Sequence, residues 1–272
     1  MTNQSKRRSI QLTVFMLSTL VGARAQAQMS IPTSCDHPLA KSWLAQRQWL
    51  DAEGYPVASD LIACQQFSQF NHELIIARLS PAANSAEQDP PFNLYLYRLN
   101  QDGELVTQVD FPHFTFNDAT GPQQLRFEPN SYRLAPQANA IGLRIRYHNQ
   151  GCRVCEGDWQ KSELHLFLVR AKTFNWIVRR LNVAETSTQQ AANSANCVYA
   201  GSQLQVRLKL AKTRHAGLAD LLLYVQQSTV PGLQNYGGPA CPASKLPTTH
   251  QLLRWHYNGQ QYQGPQPTLL GR

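Results

Sequence analysis

From Leu204 to Leu210 the chain reads Leu-Gln-Val-Arg-Leu-Lys-Leu, apolar and polar side chains alternating without exception. Successive side chains of an extended strand point to opposite faces, so a period of two fits a half-buried β-strand and no helix. Leu204, Val206, Leu208 and Leu210 are thereby assigned to a core, and Gln205, Arg207 and Lys209 to water. Gly142 to His148 repeats the logic, with Leu143, Ile145 and Tyr147 inward and Arg144, Arg146 and His148 outward. Strands are also expected over Glu73 to Leu79, Phe92 to Leu99 and Leu105 to Val109. The last two meet across Gln101-Asp102-Gly103, and Asp-Gly between such runs signals a hairpin. One short N-terminal helix precedes them: Asp36 can cap it, Pro38 suits its first turn, and Leu39, Trp43, Leu44, Arg47 and Leu50 keep helical spacing up to Gly54.

The expected fold class is therefore all-β and mainly antiparallel, with that single helix. A weak internal repeat divides the strands into three stretches, about 65–112, 120–182 and 200–264, each closing on an aromatic-rich hairpin. The closing hairpins run from Tyr95 through Asp102-Gly103, from Leu166 through Asn175-Trp176, and from Leu253 through Asn258-Gly259 to Tyr262. Such meanders fit a sandwich, an irregular barrel or propeller-like blades. Their period of roughly 70 to 85 residues exceeds the ~40 to 50 of propeller repeats, which favours the first two. Ala82 to Pro91 and Ser187 to Asn196 are polar and expected to be surface loops.

The N-terminus carries Lys6, Arg7 and Arg8, then a mostly apolar run from Leu12 to Ala23, then the small-residue alternation Ala23-Arg24-Ala25-Gln26-Ala27. That order predicts a secretory signal peptide over residues 1–27, cleaved after Ala27 or Ala25, and one exported β-rich domain over 28–272. The apolar run falls short of the roughly 20 residues that cross a bilayer, and no later stretch supplies a transmembrane segment. A periplasmic or extracellular address follows. It makes disulfides the default for the six cysteines, with Cys35–Cys64, Cys152–Cys155 and Cys197–Cys241 favoured by chain order. Four basic residues and no acid leave with the signal, which halves the net charge of +8. Nucleic acid is not an expected partner.

Two motifs look familiar. Leu125-Arg126-Phe127 to Tyr132-Arg133-Leu134-Ala135-Pro136, then Ala140-Ile141-Gly142-Leu143-Arg144, resembles a pattern in uncharacterised exported proteins of proteobacteria. Thr213-Arg214-His215-Ala216-Gly217-Leu218-Ala219-Asp220-Leu221 with Trp255-His256-Tyr257-Asn258-Gly259 resembles the second half of that pattern. The resemblance spans Asp118 to Tyr262 and implies no reaction. In it Gly142 and Gly217 allow tight backbone entry to a strand and Asp220 caps a turn. The Cys152-Arg153-Val154-Cys155 insertion departs from the pattern.

No catalytic motif names a reaction. Cys152-x-x-Cys155 is first a local disulfide; redox exchange, or zinc or copper held with His148, are its alternatives, and Glu156 stands where haem attachment needs histidine. His72, His113, His165, His215 and His256 are scattered, no two of them at i, i+2 or i+4, and read as surface or satisfied core histidines. Ile76 stands where His72-Glu73 would need a second zinc-protease histidine, and no Gly-x-Ser-x-Gly elbow occurs. The outward Arg144, Arg146, Arg207 and Lys209 offer a basic face, and Trp159 and Tyr236 offer rings for stacking. Arg144, Arg146, His148 and Trp159 are the expected binding residues. The function expected is a non-enzymatic exported binding or inhibitor-like protein that takes an envelope protein or an anionic glycan and needs no cofactor. An envelope hydrolase with catalytic residues from separate loops, and a metal or redox module at Cys152 and Cys155, are the alternatives.

Overall fold

A computed structural model describes residues 35–51, 61–82, 91–115, 121–149, 159–190, 199–230 and 248–269, all within one compact unit of the chain. Residues 1–27, expected to be a signal peptide, the Cys152-x-x-Cys155 stretch, Cys197, Tyr236 and Cys241 lie outside the described residues.

Helix α1 (Pro38–Gln46) opens the domain. Its cap is His37 rather than Asp36: the His37 ring nitrogen Nδ1 accepts from the Leu39 amide at 3.3 Å, while Asp36 pairs with Lys41 at 3.0 Å. The helix stops short of the expected Leu50, because Gln48 turns to φ 57°. Among the described residues thirteen strands follow: β1 (Leu61–Phe67), β2 (Glu73–Pro81), β3 (Phe92–Leu99), β4 (Leu105–Thr115), β5 (Pro122–Phe127), β6 (Tyr132–Ala135), β7 (Ala138–Asn149), β8 (Trp159–Arg170), β9 (Thr173–Gln190), β10 (Tyr199–His215), β11 (Leu218–Val230), β12 (Thr249–Tyr257) and β13 (Tyr262–Gln263). Ser187 to Gln190, expected in a loop, instead extends β9, where it pairs with Tyr199 to Ser202 of β10.

The strands form two antiparallel sheets. The smaller runs β1-β2-β3-β4, and the larger β13-β12-β11-β10-β9-β8-β7-β5, with β6 beside β7. Both orders have free ends, so neither sheet closes into a barrel. Strands of the second and third sequence repeats join one continuous sheet, not separate blades.

Period-two alternation explains the layering. On β2, Leu74 and Ile76 face helix α1 and meet Trp43 and Leu44, while Ile75, Ala77 and Leu79 face the larger sheet and meet Phe127, Ile141, Leu143 and Phe167. Each such fully buried side chain is worth roughly 1.5–3 kcal/mol. A third cluster joins Leu164, Leu166 and Leu168 of β8 to Leu221, Leu223, Trp255 and Tyr257, and β6 lies against β11, so the larger sheet curls over its own apolar side. The Cys35–Cys64 disulfide, as expected, ties the start of the helix to β1. Arg98 stitches the two sheets: its guanidinium pairs with Glu73 and also donates to the Arg170 and Ala171 carbonyls at 3.0 and 3.1 Å. Among the described residues no helix is long and apolar enough to cross a membrane.

Candidate functional site

Strands β10, β11 and β12 leave one face open. The residues that alternate with the core on these strands are Gln205, Arg207 and Lys209 on β10, Leu222, Tyr224 and Gln226 on β11, and His250, Leu252 and Arg254 on β12. Register places them side by side, Arg207 opposite Tyr224 and Tyr224 opposite Leu252. Tyr224 is 42% and Leu252 56% exposed, and their cross-strand pairing makes the two side chains one continuous apolar patch. They line a shallow groove of about 490 Å³ with Gln205, Arg207, Lys209, Gln226 and His250. The Lys209 ammonium lies 5.1 Å from the Tyr224 ring centre, a cation–π contact across the β10–β11 pair, and Arg207 stands opposite Tyr224 in register. Among the described residues neither Arg207 nor Lys209 has an acidic ion-pair partner.

At its hairpin end the same face carries a second feature. Ala216 and Gly217 adopt φ 45° and 86°, the two left-handed residues of a type I′ turn between His215 and Leu218. Just before that turn the register slips: Leu210 pairs with Leu221 but Arg214 with Ala219, so three residues of β10 bulge opposite Asp220 alone. The bulge aims Thr213 and His215 at Asp220 from one side. From the other side comes His256, one step beyond the Leu221–Trp255 pair. Asp220 is fully buried beneath them, while His215 and His256 remain about half exposed.

The distances are short. Thr213 Oγ1 donates to Asp220 Oδ2 at 2.6 Å, His215 Nδ1 lies 2.6 Å and His256 Nδ1 3.2 Å from Asp220 Oδ1, and the two Nδ1 atoms are 3.1 Å apart. Burial pushes the Asp220 carboxyl upward, but hydrogen bonds from Thr213, His215 and His256 outweigh it and hold the group below its ordinary value. The aspartate is thus an anion at neutral pH. Its expected role as a turn cap gives way to that of a hub for three side chains from two neighbouring strands.

The expected binding residues are arranged differently. Arg144 is neutralised by Glu128 at 2.7 Å, and Arg146 donates to Gln160. His148 sits opposite Gln160 and Trp159 opposite Asn149, so Trp159 points to the other side of the sheet from Arg146 and His148. The Trp159 indole donates to Glu185 at 3.0 Å and packs against the core between the sheets. Arg144 and Arg146 lie on β7 and Arg207 and Lys209 on β10, three strand spacings or about 14 Å away along the sheet. The four cations make two groups, and the β10 pair is the one beside a groove.

Two other places hold chemistry-bearing groups. A cleft of about 650 Å³ gathers the hairpin ends near Arg98, Gln137, Arg170 and Ala216, but the Arg98 guanidinium there is already spent on joining the sheets. Between the sheets, Glu163 is buried under Lys161 at 2.8 Å, Arg180 at 3.3 Å and the Tyr147 hydroxyl at 3.4 Å. Burial raises its pKa, yet the Lys161 and Arg180 cations prevail and hold it low. His165 beside it packs against the stacked Phe114 and Trp176 rings, and neither cleft reaches this group.

Scanning the sequence for histidines at i, i+2 or i+4 missed the His215–Asp220–His256 group, because its members meet across strands. All four residues, Thr213 included, lie inside two short stretches of sequence, Thr213 to Leu221 and Trp255 to Gly259. Compared with family models, curated proteins and solved structures, the chain matches none.

Proposed function

We propose that this chain is an exported binding protein whose working surface is the open face of β10–β12, and that it takes an anionic polysaccharide there. The observation that carries the reading is the groove that Tyr224 shares with Arg207 and Lys209, neither of which has an acidic ion-pair partner among the described residues. Sugar rings stack on an exposed aromatic, the amides of Gln205 and Gln226 match hydroxyls, and the two cations attract carboxylate or sulfate groups. An open strand face also suits an extended polymer, which runs along the groove without needing an enclosed pocket. The Cys35–Cys64 bridge supports an oxidising compartment, where such polymers surround the cell.

Affinity electrophoresis of the purified chain through gels containing alginate, heparin or neutral dextran tests the proposal. Retardation is expected in the acidic gels only, weakening as salt is raised because exposed charges are screened within ~10 Å at 0.1 M. Replacing Arg207, Lys209 and Tyr224 by alanine should weaken binding about tenfold or more, while Arg144→Ala leaves it unchanged. Equal mobility in acidic and neutral gels, or undiminished retardation of the triple variant, overturns the assignment.

A further inference from the structure

We propose that His215, Asp220 and His256 form a binding site for a divalent first-row transition-metal ion, with Thr213 orienting the carboxylate. The site is separate from the polysaccharide groove and does not depend on that reading.

Proton bookkeeping motivates it. Three polar atoms, Nδ1 of His215, Nδ1 of His256 and Oδ1 of Asp220, form a triangle with sides of 2.6, 3.2 and 3.1 Å. A neutral imidazole carries one N–H and one lone pair. If both Nδ1 atoms are protonated, two donors face each other at 3.1 Å; if one is not, its lone pair faces the carboxylate oxygen. Protons alone leave one contact of the three unmatched. A cation placed among the atoms matches all three, since each then offers it a lone pair.

The dimensions agree. A circle through the three atoms has a radius of about 1.7 Å, smaller than the ~2.0–2.2 Å of zinc–nitrogen and zinc–oxygen bonds. An ion about 1.2 Å out of their plane therefore reaches all three at bonding distance. That offset is the one for three ligands on one face of an octahedron, whose neighbours stand ~3.0 Å apart at these bond lengths. Because His215 and His256 are half exposed, the opposite side stays open to water or to a further ligand.

The donor set selects the class of ion. Two imidazoles and one carboxylate suit zinc, copper, nickel or iron(II), whereas calcium and magnesium call for oxygen ligands. Thr213 Oγ1 donates to Oδ2 at 2.6 Å and so turns Oδ1 toward the histidines. The cross-strand origin of the ligands adds rigidity, since β11 pairs with β10 on either side of Asp220 and with β12 from Leu221 onward.

The test uses the full chain, purified without a histidine tag, stripped with chelator and dialysed. Isothermal titration with zinc chloride should show one equivalent whose affinity falls at least tenfold in His215→Ala and in His256→Ala. Both residues are half exposed, and an unchanged circular-dichroism melt of the metal-free variants shows that they fold. Cobalt(II) reports the ligands: weak visible bands without thiolate charge transfer are expected, and they should vanish in the His215→Ala/His256→Ala double variant. Absence of zinc binding, binding that survives in the double variant, or an intense thiolate band that places the metal on cysteine overturns the proposal. Polysaccharide binding measured on the same double variant keeps the two readings apart.

Discussion

Burial keeps His165 neutral, and acid sensitivity follows from that one side chain. It is fully buried beside the stacked Phe114 and Trp176 rings, its Nε2 has no hydrogen-bond partner among the described residues, and Nδ1 accepts from the Arg180 amide. Desolvation lowers its pKa to about 3 against the Glu163 carboxylate, with Arg180 and Lys161 pushing the same way as burial. In the unfolded chain the ring titrates near 6.5. Between those values the unfolded state binds one proton more than the folded state, so stability is full above pH ~6.5 and declines as the pH falls toward 3, by up to about 1.4 kcal/mol per unit. Glu163, whose own pKa is lowered, adds a loss only in the carboxylate range below it. Urea unfolding at pH 7.5, 6.5 and 5.5 should show the decline in the wild type and a flatter profile in His165→Leu. Equal slopes in the two proteins would remove His165 as the cause.

At the same scale, which residues were legible depended on whether neighbours were local. Alternation placed Leu143, Ile145, Leu204 and Tyr147 inside, as observed. Asp220 was misjudged because its partners are set by cross-strand register and by the bulge before Arg214, neither of which leaves a mark on a short window of sequence. His165 occupies an inward strand position that simple pattern reading gives to an apolar residue.

Among the elements, the helix depends most on a covalent constraint. Helix α1 has nine residues, too few to persist alone in water, and its apolar side is held on β1–β3 by Trp43, Leu44 and the Cys35–Cys64 bridge. The bridge spans 29 residues of sequence, which the chain-entropy model converts to about 3–4 kcal/mol. Replacing both cysteines by alanine should lower the urea midpoint by a corresponding amount and expose the Trp43 and Trp49 cluster, read as a change in tryptophan fluorescence. An unchanged midpoint would mean that packing alone secures the helix. Strand identities and the Asp102-Gly103 hairpin were readable, because period-two patterning and turn chemistry agree there, and Gly103 does adopt φ 84°. The end of β9 was not. Its polar Ser187 to Gln190 stay extended because β10 supplies backbone partners, which composition does not record.

For the molecule as a whole, the strand order sets a gradient of stability. Leu164 to Val169 of β8 are buried in unbroken succession, served by one apolar cluster on each side, whereas β13 has two residues at a sheet edge. Native-state hydrogen exchange should be slowest for the β8 amides and fastest for β13 and the rim of β1. Protection of β13 equal to that of β8 would contradict this layering. Stacked sheets with free ends were foreshadowed by the sandwich, which the sequence favoured together with an irregular barrel. Their unequal sizes were not, because nothing in a strand's own pattern says which sheet it joins.

Within both sheets nearly every strand pairs with its immediate successor in the chain; only β7 also reaches past β6 to β5. The consequence is kinetic. A polypeptide that emerges from its N-terminal end meets each new partner as soon as the next strand arrives, the longest wait between paired strands being from Val230 at the end of β11 to Thr249 at the start of β12. The small sheet with its helix can zip up before the remainder has been delivered, leaving one large docking event between sheets as the late step. A chain threaded through a narrow exit in extended form is well matched to that order of assembly.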